Sequence, residues 1–309
     1  MKGDAPSVAR IMLMATALLA LAGADAAKAD PTIFVVNFNS GTIGEYTTSG
    51  ATVDAPLVSG LNGPVSIAVS GSDIFVANYY GGTVGEYTTS GTTVNASLIS
   101  GLNGPWGIAA SGSDIFVTGL GSGTVGEYTT AGTTVNASLI SGLNSPTGIA
   151  VSGSDIFVAN NAYAGTIGEY TTSGQTVNTS LISSGLIYPT VIAVSGSDLF
   201  VVNNWCCNGS IGEYTTSGGT VNAALISMYY PVGVAVSGSD IFVTANLSGT
   251  IGEYTTSGAT VNASLVSGLN GPEGIAVEAT AAPEPMSGLM LVSGVAGLLI
   301  IRRRRSAIR

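Results

Sequence analysis

The sequence predicts an all-β body: a six-bladed β-propeller of four-stranded blades closed by strand exchange, with an apolar segment at each end of the chain. Three observations predict it. The tripeptide Gly-Glu-Tyr recurs six times, with its glutamate at Glu45, Glu86, Glu127, Glu169, Glu213 and Glu253. A second marker, a proline ahead of a short apolar run, keeps fixed phase with it at Pro64, Pro105, Pro146, Pro189, Pro231 and Pro272. The steps between glutamates run from 40 to 44 residues, so the body is a repeat array. Third, the array starts and stops inside a repeat.

One unit resolves into four strand-like runs. Ile108-Ala109-Ala110 follows Gly104-Pro105, and the turn Ser111-Gly112-Ser113-Asp114 leads to Ile115-Phe116-Val117. A glycine-rich loop then leads to Thr124 through Thr129, and the turn Ala131-Gly132 to Thr134 through Ile140. Each run is rich in Val, Ile, Thr, Tyr or Phe and is bounded by Gly, Ser, Asn or Pro. Four strands of about six residues with turns of about four need ~40 residues, which the period supplies. No run has helical periodicity.

Such units stack into a solenoid or close into a ring, and the ends decide. The body opens at Ile33-Phe34-Val35-Val36, which matches the second strand of a unit, and closes at Gly274-Ile275-Ala276-Val277, which matches the first. Neither end is a capping repeat, as a solenoid requires. The last strand instead completes the first blade, so Gly274 to Val277 is expected to pair with Ile33 to Val36. The slim Ile-Ala-Val run suits the crowded axis, and the Thr/Asn/Ser-rich fourth run suits the solvated rim. The pattern Gly-Pro-x-Gly-Ile-Ala-Val, Phe-Val-Ala-Asn, Thr-Val-Gly-Glu-Tyr resembles NHL-type six-bladed propellers over residues 31–279. More loosely it resembles the streptogramin-lyase and gluconolactonase propellers. The lyase family implies a catalytic histidine, and this chain has none. The lactonase family implies a carboxylate and asparagine metal site in the channel, and no such constellation stands out.

The ends read as addresses. Lys2 and Arg10 precede or open the apolar stretch Ile11 to Ala22, and small residues follow to Ala27-Lys28-Ala29. This is a secretory signal peptide over residues 1–29, cleaved after Ala29, with Ala24 or Ala26 as alternatives. About 12 apolar residues fall short of the ~20 that a permanent anchor needs. The body then spans residues 30–280 and the tail residues 281–309. The tail reads Pro283-Glu284-Pro285, the apolar segment 286–301, then Arg302, Arg303, Arg304 and Arg305. As a helix the segment reaches only ~24 Å against a hydrocarbon core of ~30 Å, which makes a short, weak membrane span with its arginines in the cytoplasm. These three parts in this order resemble the PEP-CTERM sorting signal of exopolysaccharide-producing Gram-negative bacteria. The resemblance implies a transient inner-membrane stage, recognition and removal of the tail by an exosortase, and delivery to the outer surface or extracellular matrix. A plain tail anchor is the other reading.

Charge narrows function. From Asp30 to Pro285 there is no Lys, Arg or His, against 16 acidic residues (18 less Asp4 and Asp25). Nothing there matches phosphate charge, so nucleic acid is excluded as a partner. A histidine base, a His-paired nucleophile and a lysine Schiff base are excluded with it. No enzyme, cofactor or metal site is expected.

Residues present in every blade point to fold. That covers the Gly-Glu-Tyr glutamates and Asp73, Asp114, Asp155, Asp198 and Asp240, which close the Ser-Gly-Ser turns and are expected to bond local backbone N–H groups. Calcium is the alternative for either ring, since oxygen ligands are all this body offers. Asn37, Asn78, Asn160 and Asn203 end the second strand and are expected to satisfy loop backbone groups, with ligand contact as the lesser reading. Asn95, Asn136, Asn178 and Asn262 open Asn-x-Ser/Thr triplets that read as strand composition. Symmetry-breaking residues are the better guide to a site. Phe38, Tyr79, Tyr80, Tyr163 and Trp205 lie in loops after the second strand; Trp106, Tyr188, Tyr229, Tyr230 and Glu273 lie where the chain enters the first. Both loop kinds fall on one face, so Trp106, Trp205, Tyr79, Tyr80 and Tyr163 are the candidate ligand-binding residues, with polysaccharide as the partner that needs stacking surfaces and no cations. Packing against neighbouring blades is the alternative. Cys206 and Cys207 are adjacent; a vicinal disulfide is favoured over pairing with another chain or free thiols.

Overall fold

The computed structural model describes residues 30–205 and 208–278. The expected signal peptide, the Cys206-Cys207 pair, and the expected sorting tail with Pro283 to Pro285, segment 286–301 and Arg302 to Arg305 lie outside the described residues. Among the described residues no helix is long and apolar enough to cross a membrane.

Twenty-four strands form six antiparallel four-stranded sheets, one per repeat. In the third blade the inner strand Pro105–Ser111 pairs with Asp114–Gly119, which pairs with Thr124–Thr129, which pairs with the outer strand Thr134–Ile140. The first blade is assembled from both ends of the body. Its inner strand is Pro272–Glu278, paired with Thr32–Asn37 so that Val277 faces Ile33, Ala276 faces Phe34 and Ile275 faces Val35. The expected strand exchange is therefore present, and the body is a six-bladed propeller. Ile33, Val35 and Tyr46 of the first blade pack with Phe242, Ile251 and Val266 of the sixth, which seals the ring.

The second strand of each blade is the most buried, because it has neighbours on both sides and a blade against each face. It carries one fully buried phenylalanine per blade: Phe34, Phe75, Phe116, Phe157, Phe200 and Phe242. Phe75 packs on Ile108, Ile115, Val117 and Tyr128 of the following blade. Burial of a side chain of this size is worth ~1.5–3 kcal/mol, so the ring is held chiefly by blade-to-blade contact. The tripeptide serves this packing. A Cβ on Gly85 would lie 2.7 Å from the Tyr87 hydroxyl, so the glycine is the seat over which the buried tyrosine ring lies. Glu86 faces the other way, across from Phe75.

At the axis the inner strands crowd. A Cβ on Gly107 would collide with the Thr147 carbonyl of the next blade. What remains is a small cavity of ≈ 70 Å³, lined by aliphatic residues such as Ile67, Ile108, Ile149 and Ile192 together with Ser66, Thr190 and Trp106. The outer strands are bulged: opposite Val84 to Glu86 the partner advances from Ile99 to Asn95. Asn95 Oδ1 accepts the Ser97 N–H at 3.1 Å, and Asn136, Asn178, Asn222 and Asn262 repeat that bond. The asparagines of the Asn-x-Ser/Thr triplets thus bond within a bulge, one that the first blade also has with Asp54 and Pro56 in their place. Asn222, which has no Ser or Thr two places on, does the same. A bulged edge is a poor template for pairing with another sheet.

Candidate functional site

The loops after the second strand and the segments entering the inner strand are bonded to each other, which puts them on one face. Phe38, Tyr79 and Leu120 each donate a backbone N–H at 2.8 Å to a glycine carbonyl, on Gly271, Gly63 and Gly104 respectively. On this scaffold Phe38, Tyr79, Tyr80, Trp106, Tyr163, Tyr188 and Trp205 gather into two clusters, while Tyr229 and Tyr230 join neither.

The first cluster crosses three blades. Phe38 and Tyr80 have ring centroids 5.5 Å apart, Tyr79 and Tyr80 5.4 Å, and Tyr79 and Trp106 5.4 Å. Phe38 and Tyr79 pack on the core beneath, while Tyr80 is 66% exposed. The second cluster joins the fourth and fifth blades. Tyr163 meets Trp205 edge-on at 4.8 Å and Tyr188 at 6.2 Å, and Tyr188 meets Trp205 at 6.1 Å. Here Tyr163 is 60% exposed and Trp205 40%. Trp106 and Trp205 therefore belong to different clusters, and the second presents more ring surface to solvent.

Three non-glycine residues on this face occupy left-handed backbone. The position before the blade proline is Gly63, Gly104 and Gly271 in three blades, at φ 67°, 62° and 67°, but Ser145, Tyr188 and Tyr230 in the others, at φ 51°, 48° and 51°. A side chain there costs about 1 kcal/mol relative to glycine. Sequence reasoning placed Tyr188 and Tyr230 in these loops but missed the strain. The signal was available, as a repeat glycine replaced by tyrosine.

Glu273 is the second residue of the inner strand of the first blade, where the other blades carry Val65, Trp106, Thr147, Thr190 and Val232. Asn246 Nδ2 donates to its Oε1 at 2.8 Å. Burial pushes its carboxyl up to about 7, and the Asn246 hydrogen bond opposes that. Burial also raises the Gly-Glu-Tyr glutamates, followed by the nearby aspartate; for Glu86 this is Asp73. In Glu45 the like charges are Asp54 and then Glu278.

Two expectations change. Asp73 Oδ1 accepts from the Ser72 hydroxyl at 3.5 Å, and its four counterparts bond the preceding serine in the same way, so the turn carboxylates meet a side chain where backbone N–H groups were expected. The strand-end asparagines also differ. Asn37, Asn78 and Asn160 donate to Thr42, Thr83 and Thr166 hydroxyls across the hairpin, and only Asn203 accepts a backbone N–H, from Ile187 at 3.2 Å. A threonine sits opposite Asn37, Asn78 and Asn160 and competes with the loop backbone, whereas Asn203 faces Ser210. Among the described residues no group of three or more Cys, Asp and Glu side chains is placed to hold a metal ion.

No protein-family model matches the chain, and no curated protein matches it. Solved structures do. A chain of a nidogen/laminin complex superposes with a TM-score of 0.67 at 14% identity, covering 82% of this chain and 100% of that one. A streptogramin B lyase gives 0.52 at 18% identity, covering 79% of this chain and 76% of that one. A functionally unknown protein from Desulfotomaculum acetoxidans gives 0.53 at 17% identity, covering 80% and 98%. These likenesses, spread over proteins of different kinds, show that the chain has the six-bladed propeller fold.

Proposed function

We propose that this chain is an exported, non-catalytic propeller that binds or scaffolds polysaccharide at the outer surface or in the extracellular matrix of a Gram-negative bacterium. The observation that carries the reading is the pair of aromatic clusters, on one face of a body without a single cation. Tyrosine and tryptophan rings offer an apolar plane with a polar edge, which is the surface a sugar ring stacks on. The hydroxyl and amide groups around them supply neutral hydrogen-bond partners. The signal peptide and the PEP-CTERM-like tail support export and processing by an exosortase.

The test uses the full chain purified in mild detergent, probed on an array of neutral and acidic bacterial exopolysaccharides. Binding to neutral glycans, with lactone turnover at background in the presence and absence of Ca²⁺, Mg²⁺ or Zn²⁺, is expected. No glycan binding, or metal-dependent turnover lost on substitution of a channel carboxylate, would replace this reading with a lactonase- or lyase-like enzyme.

A further inference from the structure

We propose that a recess in the fourth blade, beside Tyr163, is a subsite for one uncharged pyranose ring; the inference rests on the polysaccharide reading above. The recess has a volume of ≈ 290 Å³. That is close to the ~300 Å³ lower end of small-molecule sites, and the recess opens to solvent, so it suits a single sugar ring. Its lining includes Asn144, Thr166, Thr176 and Thr179, which supply an amide and three hydroxyls. Asn160 forms part of the lining and donates to Thr166 Oγ1 at 3.1 Å, which orients that hydroxyl as an acceptor from the protein and leaves its proton free to donate.

The recess adjoins the loop that carries the second aromatic cluster. Ala162 and Ala164 both line it, and Tyr163 between them in sequence has its ring contacts with Tyr188 and Trp205 of the fifth blade. The aromatic residue in the lining itself is Tyr170, and a sugar seated here would meet it together with the threonine hydroxyls. No acidic or basic side chain is among the lining residues, so a charged sugar finds no counter-ion.

Two departures separate this recess from that of the third blade, and the first of them is found in no other blade. Thr179 stands where the other blades have Ala55, Ala96, Ala137, Ala223 and Ala263. The loop from Asn160 to Thr166 is one residue longer than the one from Gly119 to Thr124. In the third blade, with Ala137 and Gly119 at those places, the corresponding recess is ≈ 190 Å³. The added hydroxyl and the added space fall at the one blade whose loop also carries an exposed tyrosine paired with a tryptophan.

The experiment titrates the full chain in mild detergent with short neutral gluco-, galacto- and manno-oligosaccharides, followed by tryptophan fluorescence. Thr179→Ala restores the residue of the other five blades, so it is expected to fold normally and to lose about fivefold in affinity, the worth of one hydrogen bond. Thr179→Met fills the recess and is expected to abolish binding, while Ala137→Met in the third blade leaves it unchanged. If Trp205→Ala weakens binding and neither Thr179 variant does, the subsite is wrong and the aromatic face stands. Uronic-acid oligosaccharides binding better than neutral ones would overturn the ligand class. If no oligosaccharide binds the parent, the subsite and the polysaccharide reading fall together.

Discussion

Leu265, on the outer strand of the last blade, lies against Gly50, in the outermost hairpin of the first: a Cβ there would sit 2.6 Å from the Leu265 carbonyl oxygen and 2.9 Å from its Cδ1. The same contact joins Leu57 to Gly91, Leu98 to Gly132, Leu139 to Gly174, Leu181 to Gly218 and Leu225 to Gly258, so each blade is latched to the next at its rim. Gly132 is also left-handed, at φ 81°. Gly132→Ala therefore meets two costs, backbone strain of about 1 kcal/mol and a clash with Leu98, and is expected to destabilise by roughly 2 kcal/mol or more. Gly142→Ala is the control, because it shares the left-handed backbone, at φ 77°, but has open space around it. Urea midpoints should rank parent, Gly142→Ala, Gly132→Ala. Equal losses would show that the latch contributes nothing.

The latch marks a boundary in what the sequence discloses. Period, strand count, strand order and the closure by Gly274 to Val277 were all legible, because each is written as a pattern of apolar and turn residues along the chain. The role of Gly132 was not, since its partner Leu98 lies in the preceding blade and nothing local distinguishes this glycine from Gly142. The same holds for Asn95, which looked like strand filler until the register placed its side-chain bond within a bulge. At the candidate site, the loops and their shared face were legible from symmetry-breaking aromatics. Their division into two clusters was not, because side-chain neighbours such as Tyr163 and Trp205 depend on how far each loop bends. Thr179 was visible as the one departure in a run of alanines, and only the recess gives it meaning.

Glu273 makes the body's stability depend on pH in a defined direction. Its carboxyl is raised from 4.5 to about 7, so the folded state holds the proton that the unfolded chain releases. The associated stability is complete below about pH 4.5 and is lost as pH rises through about 7. The side chain keeps some solvent contact, so the effect is on the order of 1–3 kcal/mol. Burial raises the Gly-Glu-Tyr glutamates as well, which adds the same sign at lower pH. The melting temperature is expected to fall between about pH 5 and 8 in the parent. Glu273→Gln, which keeps an acceptor for Asn246 without the charge, should flatten the upper part of that range and exceed the parent's stability at pH 8. A variant as pH-sensitive as the parent would place the titrating group elsewhere.

The ends of the chain make a prediction independent of the fold. If the tail is a sorting signal, replacing Pro283-Glu284-Pro285, or Arg302 to Arg305, should leave the protein in the inner membrane, while the parent reaches the surface without its first ~29 residues. Fractionation with an antibody to the body reads the outcome. A simple tail anchor behaves differently, because losing Pro283-Glu284-Pro285 would not alter its membrane residence. Unchanged surface delivery of both variants would remove the sorting role.

The two aromatic clusters should not contribute equally. Trp205 and Tyr163 are the exposed pair, whereas Tyr79 is half-buried and Trp106 packs edge-on against it at 5.4 Å. Binding by stacking concentrates in one or two such residues. Trp205→Ala is expected to weaken binding to purified matrix polysaccharide about tenfold or more, equivalent to ~1.4 kcal/mol, without changing the circular dichroism spectrum. Trp106→Ala should also weaken it, with a larger share of its effect in stability, because truncation removes packing beneath the face as well as stacking surface above it. Tyr163→Ala and Tyr79→Ala should have smaller effects, since each loses a single ring. A double substitution of Trp205 and Tyr163 should give less than the sum of the two single losses, because the rings are in contact and support each other's orientation. Strict additivity would mean that the two rings meet separate parts of the ligand, and equal affinity in every variant would leave the aromatics as packing alone.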